Sequence, residues 1–89
     1  MGHFLTTNPR TTVILSCKLS YPAQKVDFYK WDSFGKLMKL DIDGTKYQSR
    51  FGQELLILRT SLRDQGRYEC KTDGLDNKVF NLFVNAGEF

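Results

Sequence analysis

The sequence contains few of the residues on which catalysis and metal binding depend. Of its 89 residues, two are cysteine and only one, His3, is histidine. A structural zinc site needs about four Cys or His ligands, and a serine nucleophile needs a base beside it. We therefore expect no enzyme activity, no metal site and no cofactor.

Long apolar runs and a large excess of one charge are also lacking. No apolar run is long enough for a membrane-spanning helix, and the net charge is only +3, from 13 basic and 10 acidic residues. A nucleic-acid-binding domain normally has a denser basic surface. We therefore predict neither direct membrane insertion nor a nucleic-acid partner. The lysines make a sulfated glycan a secondary candidate partner: Lys18, Lys25, Lys30, Lys36, Lys39, Lys71 and Lys78.

What the sequence does contain is short segments of apolar alternation. Val13, Leu15 and Cys17 recur at every second position, with Thr12, Ser16 and Lys18 on the other face, and Phe80 and Leu82 show the same spacing near the end of the chain. A period of two with one apolar face is typical of a half-buried strand. Predicted strands cover residues 12–19, 26–31, 36–40, 46–50, 54–59, 66–72 and 78–85. Seven or eight short strands with frequent turns predict an all-β protein with two packed antiparallel sheets.

The length allows one domain. We expect this domain to cover residues 4–85. Residues 1–3 and 86–89 resemble additions from an expression vector.

One constellation of residues is more specific than the strand pattern. Trp31 follows Cys17 by fourteen residues, and Asp64, Gly66 and Tyr68 precede Cys70 in the pattern Asp-x-Gly-x-Tyr-x-Cys. Leu55, Ile57 and Leu62 precede Asp64 by nine, seven and two residues. The combination resembles the immunoglobulin superfamily across essentially the whole chain. Asp64 follows Trp31 by 33 residues, a spacing that favours an I-set or V-like subtype.

The resemblance implies an immunoglobulin-like sandwich in which one disulfide, Cys17–Cys70, joins the two sheets and Trp31 packs against it. It further implies that Leu55, Ile57 and Leu62 belong to the core. An alternative is a pair of buried thiols, as in intracellular immunoglobulin domains of muscle.

The resemblance also assigns roles within the motif before Cys70. Gly66 permits a tight entry into its strand, and the Tyr68 hydroxyl hydrogen-bonds back to the backbone near residues 62–64. In the family, the motif aspartate pairs with a basic residue of an earlier edge strand. For Asp64, either Lys46 or Arg50 could fill that position.

A narrower resemblance covers about twenty-five residues. Lys46-Tyr47, Glu54-Leu55-Leu56-Ile57 and Asp64-Gln65-Gly66 are similar to the immunoglobulin domain that follows the propeller in semaphorins. This similarity implies a guidance or adhesion setting for the chain.

Function is expected to lie in a surface rather than in a catalytic centre. Apolar and charged residues mix on the predicted outward face of the sheet that contains Trp31, Cys70 and the last strand. Such mixing is typical of partner-binding surfaces. The candidate binding residues are Phe28, Lys30, Arg67, Lys71 and Phe83.

We therefore predict a protein-recognition or spacer domain of a larger cell-surface or secreted receptor, adhesion or guidance protein. Its partners would be proteins, a second copy of the domain among them. The alternative is a structural domain of an intracellular cytoskeletal or muscle protein, with a cytoplasmic location.

Overall fold

The computed structural model describes residues 2–17, 26–72 and 77–85, and within them eight strands and one short 3-10 helix form. The helix is Leu62–Asp64. The strands are β1 (Gly2–Thr7), β2 (Val13–Ser16), β3 (Val26–Trp31), β4 (Leu37–Lys39), β5 (Tyr47–Arg50), β6 (Glu54–Ile57), β7 (Gly66–Thr72) and β8 (Asn77–Val84).

The strands form two sheets, in the orders β1-β8-β7-β3-β4 and β2-β6-β5. This arrangement confirms the predicted immunoglobulin-like sandwich. One pairing departs from the antiparallel expectation, because β1 runs parallel to β8. Residues 2 and 3 are the first two of β1, where they pair with Val79 and Phe80. The domain boundaries and the vector origin of the end residues remain predictions, and residues 86–89 lie outside the described part of the chain.

The core lies between the sheets and is crossed by the predicted disulfide. Cys17 and Cys70 are bonded, with their Cα atoms 6.4 Å apart, and both residues are fully buried. The other buried apolar residues come from both inner faces: Val13, Leu15, Phe28, Leu55, Ile57, Tyr68, Phe80, Leu82 and Val84. The predicted inward positions of β2, β6 and β8 are therefore correct.

The predicted faces of β3 are wrong. Phe28, expected on the surface, is only 5% exposed, whereas Trp31 is half-buried and does not belong to the core cluster. The register explains the reversal, because Phe28 lies opposite Cys70, whose side chain enters the disulfide. Since directly opposed residues share a face, Phe28 points inward and Trp31, three residues later, points outward.

Leu62 is also misassigned, because it is 56% exposed while Leu55 and Ile57 are fully buried. Leu62 begins the 3-10 helix, and Ser61 caps that helix by accepting a hydrogen bond from Arg63 N. At three residues per turn, the helix cannot bury both Leu62 and Asp64. Asp64 takes the inward position.

The corner around Asp64 decides between the two predicted basic partners. Lys46 Nζ lies 2.6 Å from Asp64 Oδ2, whereas Arg50 pairs with Glu54 at 2.7 Å. The Tyr68 hydroxyl donates to the Asp64 carbonyl oxygen at 2.5 Å, as the motif predicted. Gly66 follows with a φ of +146°, a backbone angle that favours glycine. These contacts fix the start of β7 and hence the position of the surface beside it.

Candidate functional site

The outer face is the surface of the five-stranded sheet that turns away from β2, β6 and β5. Register and alternation determine which side chains reach it. Its principal members are Phe4, Asp27, Tyr29, Trp31, Arg67, Glu69, Lys71, Val79, Asn81 and Phe83.

Two cations of β7 lie over two rings of β3 on this outer face. Arg67 Cζ lies 5.0 Å from the centroid of the Trp31 ring, and Lys71 Nζ lies 5.2 Å from that of Tyr29. Because β3 and β7 are neighbours, these contacts connect adjacent strands. A cation over an aromatic face is worth about 0.5–1 kcal/mol at an exposed site. The two pairs thus favour these positions of both rings and both charges.

Glu69 lies between these two pairs on β7. It is only 8% exposed, opposite Tyr29 and Val79, and no ion pair among the described residues includes it. Burial of an unpaired carboxylate costs free energy. The centre of the outer face is therefore not optimised for stability alone.

The edge of the outer face carries an exposed aromatic pair. Phe4 of β1 and Phe83 of β8 are 74% and 47% exposed. Their ring centroids are 6.3 Å apart and the planes differ by 13°. Two stacked phenyl rings in water form an apolar patch of the kind found at binding surfaces.

A depression at one end of the outer face, here called the end cleft, has a volume of about 520 Å³. It lies where β3 ends and β7 begins, beside the 3-10 helix. Its lining residues are Lys30, Trp31, Asp32, Ser33, Arg63, Gln65, Gly66 and Arg67.

Lys30 enters the end cleft from the inner side of β3. Its ammonium group donates to the Arg63 carbonyl oxygen at 2.8 Å and lies 5.4 Å from the centroid of the Tyr68 ring. Burial lowers the pKa of Lys30, and the charge of Asp64 opposes this shift. The predicted outward direction of Lys30 is therefore wrong, although its charged end reaches the cleft.

Positive charge dominates the end cleft. Among residues 2–17, 26–72 and 77–85, no ion pair includes Lys30, Arg63 or Arg67. The single carboxylate of the cleft, Asp32, accepts hydrogen bonds through Oδ1 from the backbone N–H groups of Phe34 and Lys36, both at 2.9 Å. This acid therefore stabilises its own turn, and the three cations form no ion pair within the described part of the chain.

A second depression of about 340 Å³, the edge cleft, adjoins the first. Both are lined by Gln65, Gly66 and Arg67. The edge cleft adds Asn81, Leu82 and Phe83 and contains no cation besides Arg67. The outer face thus ends in two adjoining depressions, one cationic and one mainly apolar and amide-lined.

The five predicted binding residues are only partly brought together. Arg67, Lys71 and Phe83 lie on the outer face, Lys30 reaches only the end cleft, and Phe28 is buried in the core. Their binding role stays a prediction.

Sequence reasoning missed Phe4, Tyr29, Trp31 and Arg63. The alternation allows either set of residues to face the core in the segment Asp27-Phe28-Tyr29-Lys30-Trp31. The correct choice would have placed Tyr29 and Trp31 on the outer face. Arg63 has no strand periodicity to reveal its direction, because it belongs to the 3-10 helix.

Comparison with known proteins agrees with this architecture. The family described as "Immunoglobulin domain" matches residues 3–78. No curated protein matches the sequence. In the described residues, no helix has the length and apolar character needed to cross a membrane.

Several solved structures share the fold. Drosophila Semaphorin 2a superposes with a TM-score of 0.85 at 22% identity, over 99% of this chain and 15% of that one. The N-terminal four Ig domains of Dscam1 isoform 6.9 superpose with a TM-score of 0.78 at 19% identity, over 93% of this chain and 22% of that one. The N-terminal eight Ig domains of Down Syndrome Cell Adhesion Molecule isoform 1.30.30 superpose with a TM-score of 0.77 at 20% identity, over 93% of this chain and 11% of that one. The chain thus spans less than a quarter of each of these structures.

Proposed function

The chain belongs to the immunoglobulin domain family, and from this premise we propose that it is a protein-recognition domain of a cell-surface or secreted adhesion or guidance protein. Recognition takes place on the outer face of the five-stranded sheet. The observation that carries the proposal is the combination of the Phe4–Phe83 stack with the cation–ring pairs of Arg67 and Lys71.

The composition of the outer face supports recognition over a spacer role. Aromatic residues and arginine are enriched in protein interfaces, where they supply most of the binding free energy. A domain that only separates its neighbours needs no exposed stacked phenylalanines and no ordered arginine over tryptophan. The rings are already held in place, so binding would cost little side-chain entropy.

The disulfide supports a location outside the cytoplasm. Such bonds persist in oxidising compartments and are rare where glutathione keeps thiols reduced. The bond Cys17–Cys70 therefore favours a secreted or cell-surface setting over the intracellular structural alternative. The similar structures named for semaphorin and for a cell adhesion molecule fit the same setting.

The experiment is a binding screen of the purified, oxidised domain, made multivalent, against a panel of cell-surface ectodomains that includes the domain itself. Phe83→Asp places a charge in the aromatic pair, and Gln48→Asp is a matched control, since Gln48 is exposed on β5 of the other sheet. We expect at least one partner that binds the wild type and the control but not Phe83→Asp. Binding that survives Phe83→Asp and is lost in Gln48→Asp would contradict the proposal, as would failure of the whole panel.

A further inference from the structure

Three cations that form no ion pair and an apolar depression meet at one end of the outer face. Lys30, Arg63 and Arg67 belong to no ion pair among the described residues, and the edge cleft beside them ends at Phe83. A ligand that fits both depressions must carry negative charge and an apolar group a short distance apart.

We propose that the end cleft binds carboxylate side chains of an extended segment of a protein partner, and that this segment crosses Gly66–Arg67 and lays an apolar side chain on Phe83. The inference rests on the proposed function, because it assigns a chemical class to the partner of the outer face.

The guanidinium of Arg67 occupies the central position in this arrangement. It lines both depressions and is oriented by the Trp31 ring at 5.0 Å. A guanidinium stacked on an aromatic ring keeps its N–H groups at its edge, where they can donate to a carboxylate in a bidentate manner. Arg63 is exposed and also lines the end cleft, so an acid in the cleft would have a second cation nearby.

Gly66 leaves room for the Lys30 side chain beside the end cleft, because a Cβ built at this position would lie 3.2 Å from Lys30 Cε. Beside it, the side-chain amide of Asn81 has no hydrogen-bond partner among the described residues and lies in the edge cleft. An amide of this kind can bond to the backbone of a bound peptide.

The edge cleft argues for a peptide over a sulfated glycan. A sulfated chain carries anionic groups along its whole length and would need cations in both depressions. The edge cleft offers only Arg67, together with amides and the Phe83 ring. The charge complementarity therefore fits an acidic side chain next to an apolar one.

The test is a titration of the 15N-labelled domain, followed by amide chemical shifts. The probe is a blocked pentapeptide with one leucine between two pairs of glutamates. A second peptide has glutamine in place of every glutamate, and a third probe is a heparin-derived hexasaccharide. We expect the acidic peptide alone to shift the amides of Arg63, Gly66, Arg67 and Asn81.

Two variants that each remove one positive charge separate the cleft from general electrostatics. Arg67→Gln should weaken binding of the acidic peptide about tenfold, because a charge-assisted hydrogen bond is lost. Arg50→Gln removes the same charge from β5, on the other sheet, and should leave the affinity within about twofold, as expected for screened distant charges.

Several results would overturn the inference. They are equal binding of the glutamine peptide, binding of the hexasaccharide in place of the acidic peptide, equal losses in the two variants, or no shifts at millimolar peptide. Failure here is distinguishable from failure of the proposed function. A partner from the ectodomain panel that is lost in Phe83→Asp and retained in Arg67→Gln would leave the outer face as a protein-binding surface without an acid-binding cleft.

Discussion

The two faces of the five-stranded sheet use aromatic residues in opposite ways. On the inner face, Phe28, Tyr68 and Phe80 are nearly inaccessible and pack around the disulfide. On the outer face, Tyr29 and Trp31 keep part of their surface in water beneath cations. Phe28 and Tyr29 are consecutive residues of one strand, so alternation alone separates a residue that stabilises the fold from one that is available to a partner.

The largest expected effect contrasts Phe28 with Trp31. Phe28→Ala should lower the free energy of unfolding by about 3–5 kcal/mol, because it removes a buried ring and leaves a cavity. Trp31→Ala should cost about 2 kcal/mol, less than Phe28→Ala, since the indole is only half-buried and loses apolar burial together with its contact to Arg67. Denaturant unfolding of the two variants measures both values. A greater loss for Trp31→Ala would reverse the assigned faces of β3.

Removal of the disulfide is expected to have a comparable effect on the inner face. Cys17 and Cys70 are 53 residues apart in sequence, and closure of a loop of that length is worth about 4 kcal/mol in the chain-entropy model. The double variant Cys17→Ala, Cys70→Ala should therefore unfold at a much lower denaturant concentration, or not fold at 37 °C. An unchanged midpoint would mean that the bond adds nothing to the fold.

Substitution of Asp64, at the corner beside the end cleft, should lower the free energy of unfolding by an intermediate amount. Asp64 is 3% exposed and pairs with Lys46, whose side chain is 35% exposed and can regain water. Asp64→Ala should cost about 2 kcal/mol, less than the loss of a fully buried ion pair. Asp41→Ala is the control, because Asp41 is exposed and belongs to no ion pair among the described residues. Equal unfolding midpoints for the two variants would contradict this account of the corner.

Tyr68→Phe tests the same corner by its pH dependence. Loss of the hydrogen bond to the Asp64 carbonyl should cost about 1 kcal/mol at pH 7. Burial raises the pKa of Tyr68, so the unfolded chain ionises from about pH 10 while the folded chain keeps the proton. The stability held below pH 10 is therefore lost as the pH rises further, by about 1.4 kcal/mol per pH unit for one proton.

Unfolding curves at pH 7, 10.5 and 11.5 measure this loss in the wild type and in Tyr68→Phe. The variant should lose stability less steeply above pH 10, and Tyr47, whose pKa burial also raises, accounts for part of what remains. Parallel slopes for the two proteins would show that Tyr68 ionises as readily when folded as when unfolded.

The smallest effects on stability are expected on the outer face. Lys71→Ala removes a half-buried contact with Tyr29 and should lower the free energy of unfolding by about 0.5–1 kcal/mol. The same variant should slow association with a partner of the outer face and weaken the salt dependence of the rate, because exposed charges mainly steer encounter. A thermal melt and association kinetics check the two expectations. A loss of several kcal/mol would place Lys71 among the residues that hold the fold.

The contrast between the faces also shows what the sequence could predict. The strand alternation and the combination of Cys17, Trp31 and Asp-x-Gly-x-Tyr-x-Cys sufficed for the fold and the disulfide. The Tyr68 hydrogen bond followed from the motif, because its acceptor residue Asp64 is only four residues away. The sequence did not determine which face of β3 points to the core, because both faces carry plausible core residues. One face has Val26 and Phe28, and the other has Tyr29 and Trp31. The end cleft was not predictable, because Lys30 and Arg63 are distant in sequence and meet only where the Lys30 ammonium donates to the Arg63 carbonyl oxygen.

One fluorescence measurement tests the division between the faces most directly. Trp31 is the single tryptophan of the chain, so its emission reports one position. If the indole lies outside beside Arg67, Arg63 and Lys30, iodide should quench the Trp31 emission of the folded domain. Caesium should quench it much less at the same low ionic strength, because the positive surface attracts the anion and repels the cation. Arg67→Gln should reduce the difference between the quenching of Trp31 emission by iodide and the quenching by caesium. Emission that resists both ions in the folded domain and responds to them only after unfolding would place Trp31 in the core and contradict the account.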